Sequence, residues 1–278
     1  MQTRRFGPQG VQVPVIGLGT WNMERDNRAE AVAALRRGLE LGMVHVDTAE
    51  MYGEGRAEEI VGEAIAGLRE RVFLVSKVLP RNASAAGTRK ACEASLRRLG
   101  TEYLDVYLLH WRGDTPLAET IGAFEALRAE GKIRAWGVSN FDDGDLDEVE
   151  QIAPGQVACN QVFYHLRERT IEHRVIPWCE QRGVAVVAYS PFGSKGGFPD
   201  DRPGSALAGV AARLGATPRQ IALAYLTRRP SVFAIPKSGR TAHVEEIAGA
   251  GRVTLDDAAL AELDAAFPLA PWRGLSMI

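Results

Sequence analysis

The stretch VFLVSKVLPRNASAAGTRKACEASLRRLGTEYLDVYLLH (residues 72–110) decides the fold, because it predicts a strand, a helix and a second strand in succession. The strand candidates are VFLVSK (72–77) and LDVYLLH (104–110), and TRKACEASLRRLG (88–100) has the length and amphipathic composition of a helix. VFLVS shows no alternation of apolar and polar residues. It therefore indicates a strand buried on both faces, as in a parallel sheet covered by helices.

The same unit recurs outward from this stretch in both directions. Further strands are predicted at VIGLG (15–19), MVHVD (43–47), IRAWGVSN (133–140), QVACNQ (156–161), VAVVAYS (184–190) and VFAIPKS (232–238), after a short hairpin over RRFGPQGVQVP (4–14). Eight βα units predict a closed (β/α)₈ barrel, a TIM barrel of the α/β class, more readily than an open sheet. A doubly wound sheet is the alternative, but GLGTWN (17–22) is a poor match to the G-x-G-x-x-G turn of dinucleotide-binding sheets. We expect one domain over residues 1–278.

Helices are predicted between the strands, with recognisable ends. Besides residues 88–100, they include RAEAVAALRRGLELG (28–42), LAETIGAFEALRAEG (117–131) and TPRQIALAYLTRR (217–229). Asn27 is a candidate N-cap of the helix over 28–42. Several helices end at a glycine, which suits the position after the last helical residue: Gly42, Gly100 and Gly131.

Composition and charge narrow the class of protein. The 278 residues are 46% hydrophobic and 24% charged, with a net charge of −2, so no global field favours nucleic acid or an anionic membrane. MQTRRFGPQG at the start has no apolar h-region, and no apolar run approaches the ~20 residues that span a bilayer. We expect a cytoplasmic protein without an export signal.

Metal binding is not predicted. The three cysteines, Cys92, Cys159 and Cys179, are widely spaced and form no C-x-x-C pair, and the five histidines form no H-x-x-x-H pair.

Four polar residues follow consecutive strands at one end of the predicted barrel. Asp47 ends the second strand, Lys77 the third and His110 the fourth, and Tyr52 lies on the loop after Asp47. The carboxyl ends of barrel strands meet at one face, where active sites lie, so these side chains should converge. Each alone has an ordinary structural explanation: a solvated strand end for Lys77, a packing histidine for His110, and a turn or cap for Asp47.

The combination has complementary chemistry. A tyrosine is a weak acid at neutral pH, and the ammonium of Lys77 favours the phenolate of Tyr52 and so lowers its pKa. Burial tends to deprotonate a lysine, and Asp47 opposes this by pairing with it. His110 can donate a hydrogen bond to a carbonyl oxygen. Together they predict a proton donor and its partners aimed at an oxygen that becomes negative in the transition state.

These residues belong to a series of motifs that resembles the aldo-keto reductase family, over essentially the whole chain. The matching motifs are GLGTW (17–21), HVDTAEMYG (45–53), LVSKV (74–78), LDVYLLHW (104–111), GKIRAWGVSNF (131–141), NQVFYH (160–165), AYSPFG (188–193) and IPKSGR (235–240). The resemblance implies a (β/α)₈ barrel and hydride transfer from a nicotinamide nucleotide to the carbonyl group of a small molecule, without metal or flavin. The family's catalytic tetrad falls on Asp47, Tyr52, Lys77 and His110.

The resemblance also implies cofactor contacts. Ser139, Asn140 and Gln161 would hydrogen-bond the nicotinamide carboxamide, and Tyr189 would stack on its ring. Further expected cofactor residues are Gly19, Thr20, Trp21, Asp47, Ser190 and Phe192. Trp21, Tyr52, His110 and Trp111 would form the substrate pocket, although the two tryptophans could equally be packing residues.

The last strand is followed by a predicted phosphate site. Lys237 and Ser238 match the family's contacts to the 2′-phosphate of NADP, and Arg240 adds a planar donor suited to phosphate. His243 stands where many relatives have a second arginine, which weakens the preference for NADP, so NADPH is the expected cofactor and NADH remains possible. Phe163 departs from a glutamate that is common in its motif.

The prediction is a monomeric, NADPH-dependent carbonyl reductase with no nucleic-acid or membrane partner. Two alternatives stay open: a barrel lyase in which Lys77 forms a Schiff base, and a nucleotide-sensing module with vestigial turnover. Substrate choice is expected to depend on loops 111–116 and 190–205 and on the tail APWRGLSMI (270–278). We expect 190–205 to cover the barrel mouth and the short tail to leave the pocket open.

Overall fold

The computed structural model describes residues 1–8, 10–194, 198, 202 and 204–278. Its main feature is a sheet of eight parallel strands in sequence order. They are β3 (Leu18–Gly19), β4 (His45–Asp47), β5 (Phe73–Val78), β6 (Leu104–Leu109), β7 (Ile133–Ser139), β8 (Cys159–Phe163), β9 (Ala185–Tyr189) and β10 (Val232–Ala234).

The sheet closes on itself where the first and last parallel strands meet. The backbone N–H of Gly17 donates to the carbonyl of Ala234 over 2.8 Å, and that of Gly19 donates to the carbonyl of Pro236 over 3.0 Å. Gly19 allows this approach, because a Cβ atom there would lie 2.4 Å from the carbonyl oxygen of Ile235. The predicted (β/α)₈ barrel is confirmed.

Helices follow the strands and cover the barrel. They are α1 (Arg28–Glu40), α2 (Arg56–Ile65), α3 (Ala85–Leu99), α4 (Leu117–Ala129), α5 (Asp143–Ile152), α6 (Val175–Arg182), α7 (Ala206–Arg213), α8 (Pro218–Leu226), α9 (Thr241–Gly249) and α10 (Asp257–Ala266). Asn27 caps α1 as predicted, since its side-chain oxygen accepts from the N–H of Glu30. Gly100 ends α3 in the left-handed conformation, also as predicted.

A hairpin of β1 (Thr3–Phe6) and β2 (Val11–Pro14) lies at the amino-terminal end of the barrel. Phe6 packs against the barrel interior, with ring centroids 4.9 Å from those of both Phe73 and Phe233. The hairpin thus fills one end of the barrel, and the opposite end is left for the site.

Burial of the strands agrees with the pattern in the sequence. Every residue of β5 and β6 is buried, as a strand covered on one face by helices and on the other by the barrel interior must be. Several predicted strands differ in extent. β3 and β4 are shorter than predicted because they begin at Leu18 and His45, β8 begins at Cys159 and continues to Phe163, and β10 ends at Ala234. Residues 154–156 form a turn before β8, and beyond β10 an isolated bridge joins Lys237 to Gly19.

Among the described residues, every helix is too short or too polar to span a membrane. The predicted loop 190–205 lies partly outside the described residues, at 195–197, 199–201 and 203.

Candidate active site

The four residues of the predicted tetrad meet at the carboxyl end of the barrel. Asp47 is the last residue of β4, Lys77 the penultimate residue of β5, and His110 directly follows β6. Tyr52 begins a short 3₁₀ turn, Tyr52–Gly55, on the loop after β4. All four are buried, and Lys77 is completely inaccessible to solvent.

The ammonium group of Lys77 is the centre of this cluster. Its Nζ lies 2.6 Å from Oδ1 of Asp47, 2.8 Å from the backbone oxygen of Thr48 and 3.1 Å from the hydroxyl of Tyr52. An ammonium has three N–H donors, so these three acceptors use all of them. Lys77 is therefore held rigidly, and it donates to the phenol oxygen instead of accepting from it.

Asp47 is fixed through its other atoms as well. Its Oδ2 accepts from Nε2 of Gln161 over 2.7 Å, and its backbone oxygen accepts from the hydroxyl of Thr20 over 2.9 Å. The ion pair with Lys77 thus lies in a network that joins β4, β5, β8 and the residue directly after β3, in which the buried charges are both paired and hydrogen-bonded.

Burial and charge act in opposite directions on these groups. Burial is the largest influence on Tyr52 and raises its pKa, although Lys77 opposes the rise. The expectation of a lowered tyrosine pKa was therefore wrong in its net direction, because desolvation of the phenolate outweighs the ammonium. For Lys77, burial lowers the pKa, but attraction to Asp47 and Tyr52 outweighs it and leaves the pKa raised. The opposing effect of Asp47 agrees with the prediction.

His110 stays neutral in this environment. Burial, aided by the positive charge of Lys77, holds the pKa of His110 well below its usual value. Its ring lies edge-on to that of Tyr52 with centroids 5.8 Å apart, and 4.9 Å from the ring of Trp111. A neutral imidazole still carries one N–H donor, so it can donate a hydrogen bond without bringing a charge.

A cavity of about 130 Å³ opens above this cluster. It is lined by most of the residues that the sequence assigned to cofactor and substrate: Gly19, Thr20, Trp21, Asp47, Tyr52, His110, Trp111, Ser139, Asn140, Gln161, Tyr189, Ser190 and Lys237. Sequence reasoning missed other lining residues, including Met51, Pro191, Ile235 and Ile278. Ile278 belongs to the tail that was expected to leave the pocket open, and no pattern in the tail indicated where it would lie.

Asn140 connects two sides of the cavity. Its backbone is left-handed, with φ of 60°, a conformation that asparagine tolerates better than most residues. Its Nδ2 donates to the backbone oxygen of His110 over 3.1 Å, and its Oδ1 accepts from the hydroxyl of Tyr189 over 2.8 Å. Asn140 was predicted to contact the nicotinamide carboxamide, and these hydrogen bonds join it to the backbone of His110 and to Tyr189.

The remaining predicted cofactor residues lie beyond this lining. Ser238 is buried and its hydroxyl accepts from the backbone N–H of Arg240, just before α9 begins. Arg240 and His243 are exposed. Phe192 packs on Phe198, with ring centroids 5.3 Å apart.

Comparison with known proteins identifies the family. The family model described as "Aldo/keto reductase family" matches residues 15–267. The chain belongs to the aldo/keto reductase family. It is therefore an oxidoreductase of this family, and the family and enzyme class predicted from the motifs are confirmed.

Individual members of the aldo/keto reductase family align along most of the chain. Methylglyoxal reductase YeaE of Escherichia coli is 49% identical over 262 residues, covering 93% of this chain and 92% of YeaE. Human aldo-keto reductase family 1 member A1 is 34% identical over 260 residues, covering 82% and 78% of the two chains. An aldo/keto reductase from Klebsiella pneumoniae has been crystallised in complex with NADP and acetate. Its sequence is 48% identical to this chain, and the two structures superpose over 99% of each chain with a TM-score of 0.95.

Over the residues that the structure describes, no group of three or more histidine, cysteine, aspartate or glutamate residues could hold a metal ion.

Proposed function

We propose that the protein reduces an aldehyde or ketone to an alcohol by direct hydride transfer from NADPH, with Tyr52 as the proton donor. The observation that carries this proposal is the hydrogen bond from Lys77 to the hydroxyl oxygen of Tyr52 at the floor of the cavity. The relatives support the reaction class, since one is a methylglyoxal reductase and a structural neighbour was crystallised with NADP.

The direction of that hydrogen bond determines what Tyr52 can do. Because Lys77 donates to the phenol oxygen, the hydroxyl proton of Tyr52 is free to point into the cavity. A raised pKa keeps Tyr52 protonated at neutral pH, so it is ready to donate. As the proton leaves, Lys77 stabilises the developing phenolate, and this interaction strengthens in the transition state.

His110 serves the substrate oxygen from a second direction. It lines the same cavity as Tyr52 and is neutral, so its N–H donor orients a carbonyl group without competing to protonate it. Two donors converging on one oxygen polarise the carbonyl and stabilise the negative charge that develops there.

The residues around the cavity fit a nicotinamide nucleotide. When bound, NADPH supplies the hydride. Gly19 keeps its stretch of wall free of a side chain, and the amides of Asn140 and Gln161 offer partners for a carboxamide. Tyr189 presents an aromatic face, while Lys237, Ser238 and Arg240 provide charge and donors for a 2′-phosphate beyond the cavity.

The substrate is a small carbonyl compound. Trp21, Met51, Trp111 and Ile278 make much of the cavity wall apolar, and methylglyoxal, the substrate named for the E. coli relative, is a small dicarbonyl. Trp21 is 42% exposed and places part of this apolar wall at the cavity mouth.

The contacts of Lys77 disfavour the Schiff-base alternative. A nucleophilic lysine must be neutral, whereas Lys77 has a raised pKa and all three of its N–H donors are engaged. Trapping with borohydride in the presence of an aldehyde should therefore leave Lys77 unlabelled, as peptide mass spectrometry would show.

The proposal is tested with NADPH carrying deuterium at C4 of the nicotinamide ring and methylglyoxal as the substrate. Direct transfer places the deuterium on the carbinol carbon of the product, as detected by mass spectrometry. Product without deuterium from either C4 position would exclude direct hydride transfer. Absence of NADPH oxidation with a panel of aldehydes would favour the sensing module.

A further inference from the structure

An acidic side chain occupies the region that the proposed function assigns to the cofactor's 2′-phosphate. Oδ2 of Asp26 lies 2.5 Å from Nζ of Lys237, and both side chains are about one-third exposed. Asp26 comes from the loop after β3, whereas Lys237 follows β10, so the pair joins two sides of the cleft. Lys237 is a cavity-lining residue, and its ammonium is paired with the carboxylate of Asp26.

The backbone on either side of Asp26 is fixed. Met23, three residues earlier, is fully buried, and its carbonyl accepts from the N–H of Asp26 over 3.1 Å. The next residue, Asn27, caps α1. The carboxylate can therefore turn away from Lys237 by side-chain rotation, but the loop leaves it close to the same cleft.

Asp26 also packs closely on the loop that carries the phosphate-binding residues. A Cβ atom at Gly239 would lie 2.2 Å from Oδ2 of Asp26 and 2.7 Å from its Cγ. Any larger residue at position 239 would thus displace the carboxylate. The loop 237–240 therefore accommodates Asp26 next to Lys237, Ser238 and Arg240.

We propose that Asp26 is a cofactor-specificity residue that narrows the preference for NADPH over NADH. This inference rests on the proposed function, which places the 2′ position of the nucleotide beside Lys237. A 2′-phosphate is dianionic or nearly so, and it has to share Lys237 with a carboxylate of like charge. A ribose 2′-hydroxyl instead donates a hydrogen bond to a carboxylate, which is the interaction that acidic residues make in NAD-binding sites.

The surrounding charges explain how both nucleotides are accommodated. Arg240 is exposed and contributes a second cation, and the first turn of the nine-residue helix α9 adds the positive end of its dipole. These positive groups offset the repulsion between Asp26 and the 2′-phosphate, so NADPH still binds. Asp26 therefore reduces the difference in affinity between NADPH and NADH without abolishing it.

The test is the substitution Asp26→Asn, which removes the charge and keeps the shape. Dissociation constants for NADPH and NADH are measured by quenching of tryptophan fluorescence at low and high salt. We expect Asp26→Asn to bind NADPH about tenfold more tightly than the wild type does, which corresponds to ~1.4 kcal/mol. Its affinity for NADH should be equal to that of the wild type or lower. The gain for NADPH should shrink at high salt, because the pair is partly exposed. Asp26→Ala should change the affinity for NADPH in the same direction.

Glu245→Gln is the matched control. Glu245 lies on α9 and pairs with Arg37 over 2.8 Å, so its replacement changes the net charge by the same amount without touching Lys237. It should leave the ratio of the two dissociation constants unchanged. An equal gain for NADPH in Glu245→Gln would overturn the assignment to Asp26, because a general change of field would then explain it.

The inference and the proposed function can fail separately. Lys237→Met should weaken NADPH in the wild-type background if the phosphate lies where we propose. If that loss is seen but Asp26→Asn leaves NADPH binding unchanged or weakened, Asp26 is not a discriminating residue and the proposed cofactor site stands. If Lys237→Met does not weaken NADPH, the 2′-phosphate does not lie beside Lys237 and the inference about Asp26 fails, while carbonyl reduction is tested separately by the deuterium transfer. If the wild type does not bind NADPH, both the inference and the proposed function are overturned.

Discussion

Gln161 Nε2 lies 2.7 Å from Oδ2 of Asp47, so an amide on β8 holds the carboxylate at the end of β4 from across the barrel mouth. The other carboxylate oxygen, Oδ1, accepts from Lys77 over 2.6 Å. With both oxygens engaged, Asp47 cannot rotate without breaking a buried charge-assisted hydrogen bond. The position of the lysine beneath Tyr52 thus depends on residues from three strands.

The hydroxyl of Tyr52 is the proposed proton donor, and its removal gives the most direct test of the tetrad. Tyr52→Phe should lower the rate of carbonyl reduction by about 10²–10⁴-fold, the usual contribution of a positioned acid. The phenol does not hold the cofactor, so the dissociation constant for NADPH should stay close to the wild-type value. Stopped-flow reduction rates and fluorescence titration measure the two quantities. A loss below about tenfold would remove Tyr52 from this role.

Lys77 and Asp47 should act as one unit. Lys77→Met should reduce turnover sharply, because the phenolate loses its stabilising charge. Asp47→Asn should reduce turnover less, because the lysine remains but is held less well. The double variant should lose much less than the product of the two single losses. Circular dichroism checks that each variant folds, since an unpaired buried charge is destabilising. Multiplicative losses in the double variant would indicate independent roles.

Much of this arrangement could be predicted from the sequence. Strand ends are marked by the change from apolar to polar residues, and consecutive parallel strands have their carboxyl ends at one face. The sequence therefore predicts that Asp47, Lys77 and His110 lie together. The closed barrel followed from eight repeats of one unit, and the cap at Asn27 from its side-chain chemistry.

What the sequence could not predict depends on distances between segments that are remote in the chain. The direction of the pKa shift of Tyr52 depends on how deeply its hydroxyl is buried and on how close it lies to Lys77. Neither quantity can be read from a motif. Gln161 was predicted as a cofactor contact, yet its amide group also supports Asp47, 114 residues away. The pairing of Asp26 with Lys237 and the approach of Ile278 to the cavity are likewise tertiary contacts without a local signal.

Arg240 is expected to distinguish the two nicotinamide nucleotides. A charge-assisted hydrogen bond to phosphate contributes about 1.5–3 kcal/mol, and NADH lacks that phosphate. Arg240→Ala should therefore weaken NADPH much more than NADH. The side chain is exposed, so the difference should diminish at high salt. Fluorescence titrations of both nucleotides provide the measurement. Equal losses for NADPH and NADH would place the 2′-phosphate elsewhere.

The lowered pKa of His110 has a consequence for the pH dependence of reduction. Burial and the charge of Lys77 keep the imidazole of His110 neutral well below pH 6.5, the usual pKa of a histidine. Its N–H donor should therefore stay unchanged between pH 6 and 8. We expect kcat/KM for carbonyl reduction to show no inflection near pH 6.5. His110→Gln, which keeps an N–H donor, is the control. An inflection near pH 6.5 that disappears in His110→Gln would show that the imidazole titrates there.

His45, inside the barrel, should make the free energy of unfolding depend on pH in acid. It is completely buried beneath the site, with ring centroids 5.7 Å from Phe6 and 5.4 Å from Phe73. Neither ring nitrogen has a hydrogen-bond partner within the part of the chain that the structure describes. Burial, with a smaller contribution from Lys77, lowers the pKa of His45 to about 3.

The sign of the effect follows from proton binding. Between pH 6.5 and about 3 the unfolded chain protonates His45 and the folded protein does not, so the free energy of unfolding falls as the pH drops through this window. From pH 7 to pH 4 this contribution amounts to about 3 kcal/mol. His45→Leu keeps a similar volume and removes the titrating group, so it should flatten the pH dependence by that amount. Urea unfolding at pH 4, 5, 6 and 7 measures the difference from the wild type. Phe73→Leu, in the same cluster, is the control, and its difference should be constant with pH. Parallel curves for His45→Leu and the wild type would show that this histidine is protonated equally in both states.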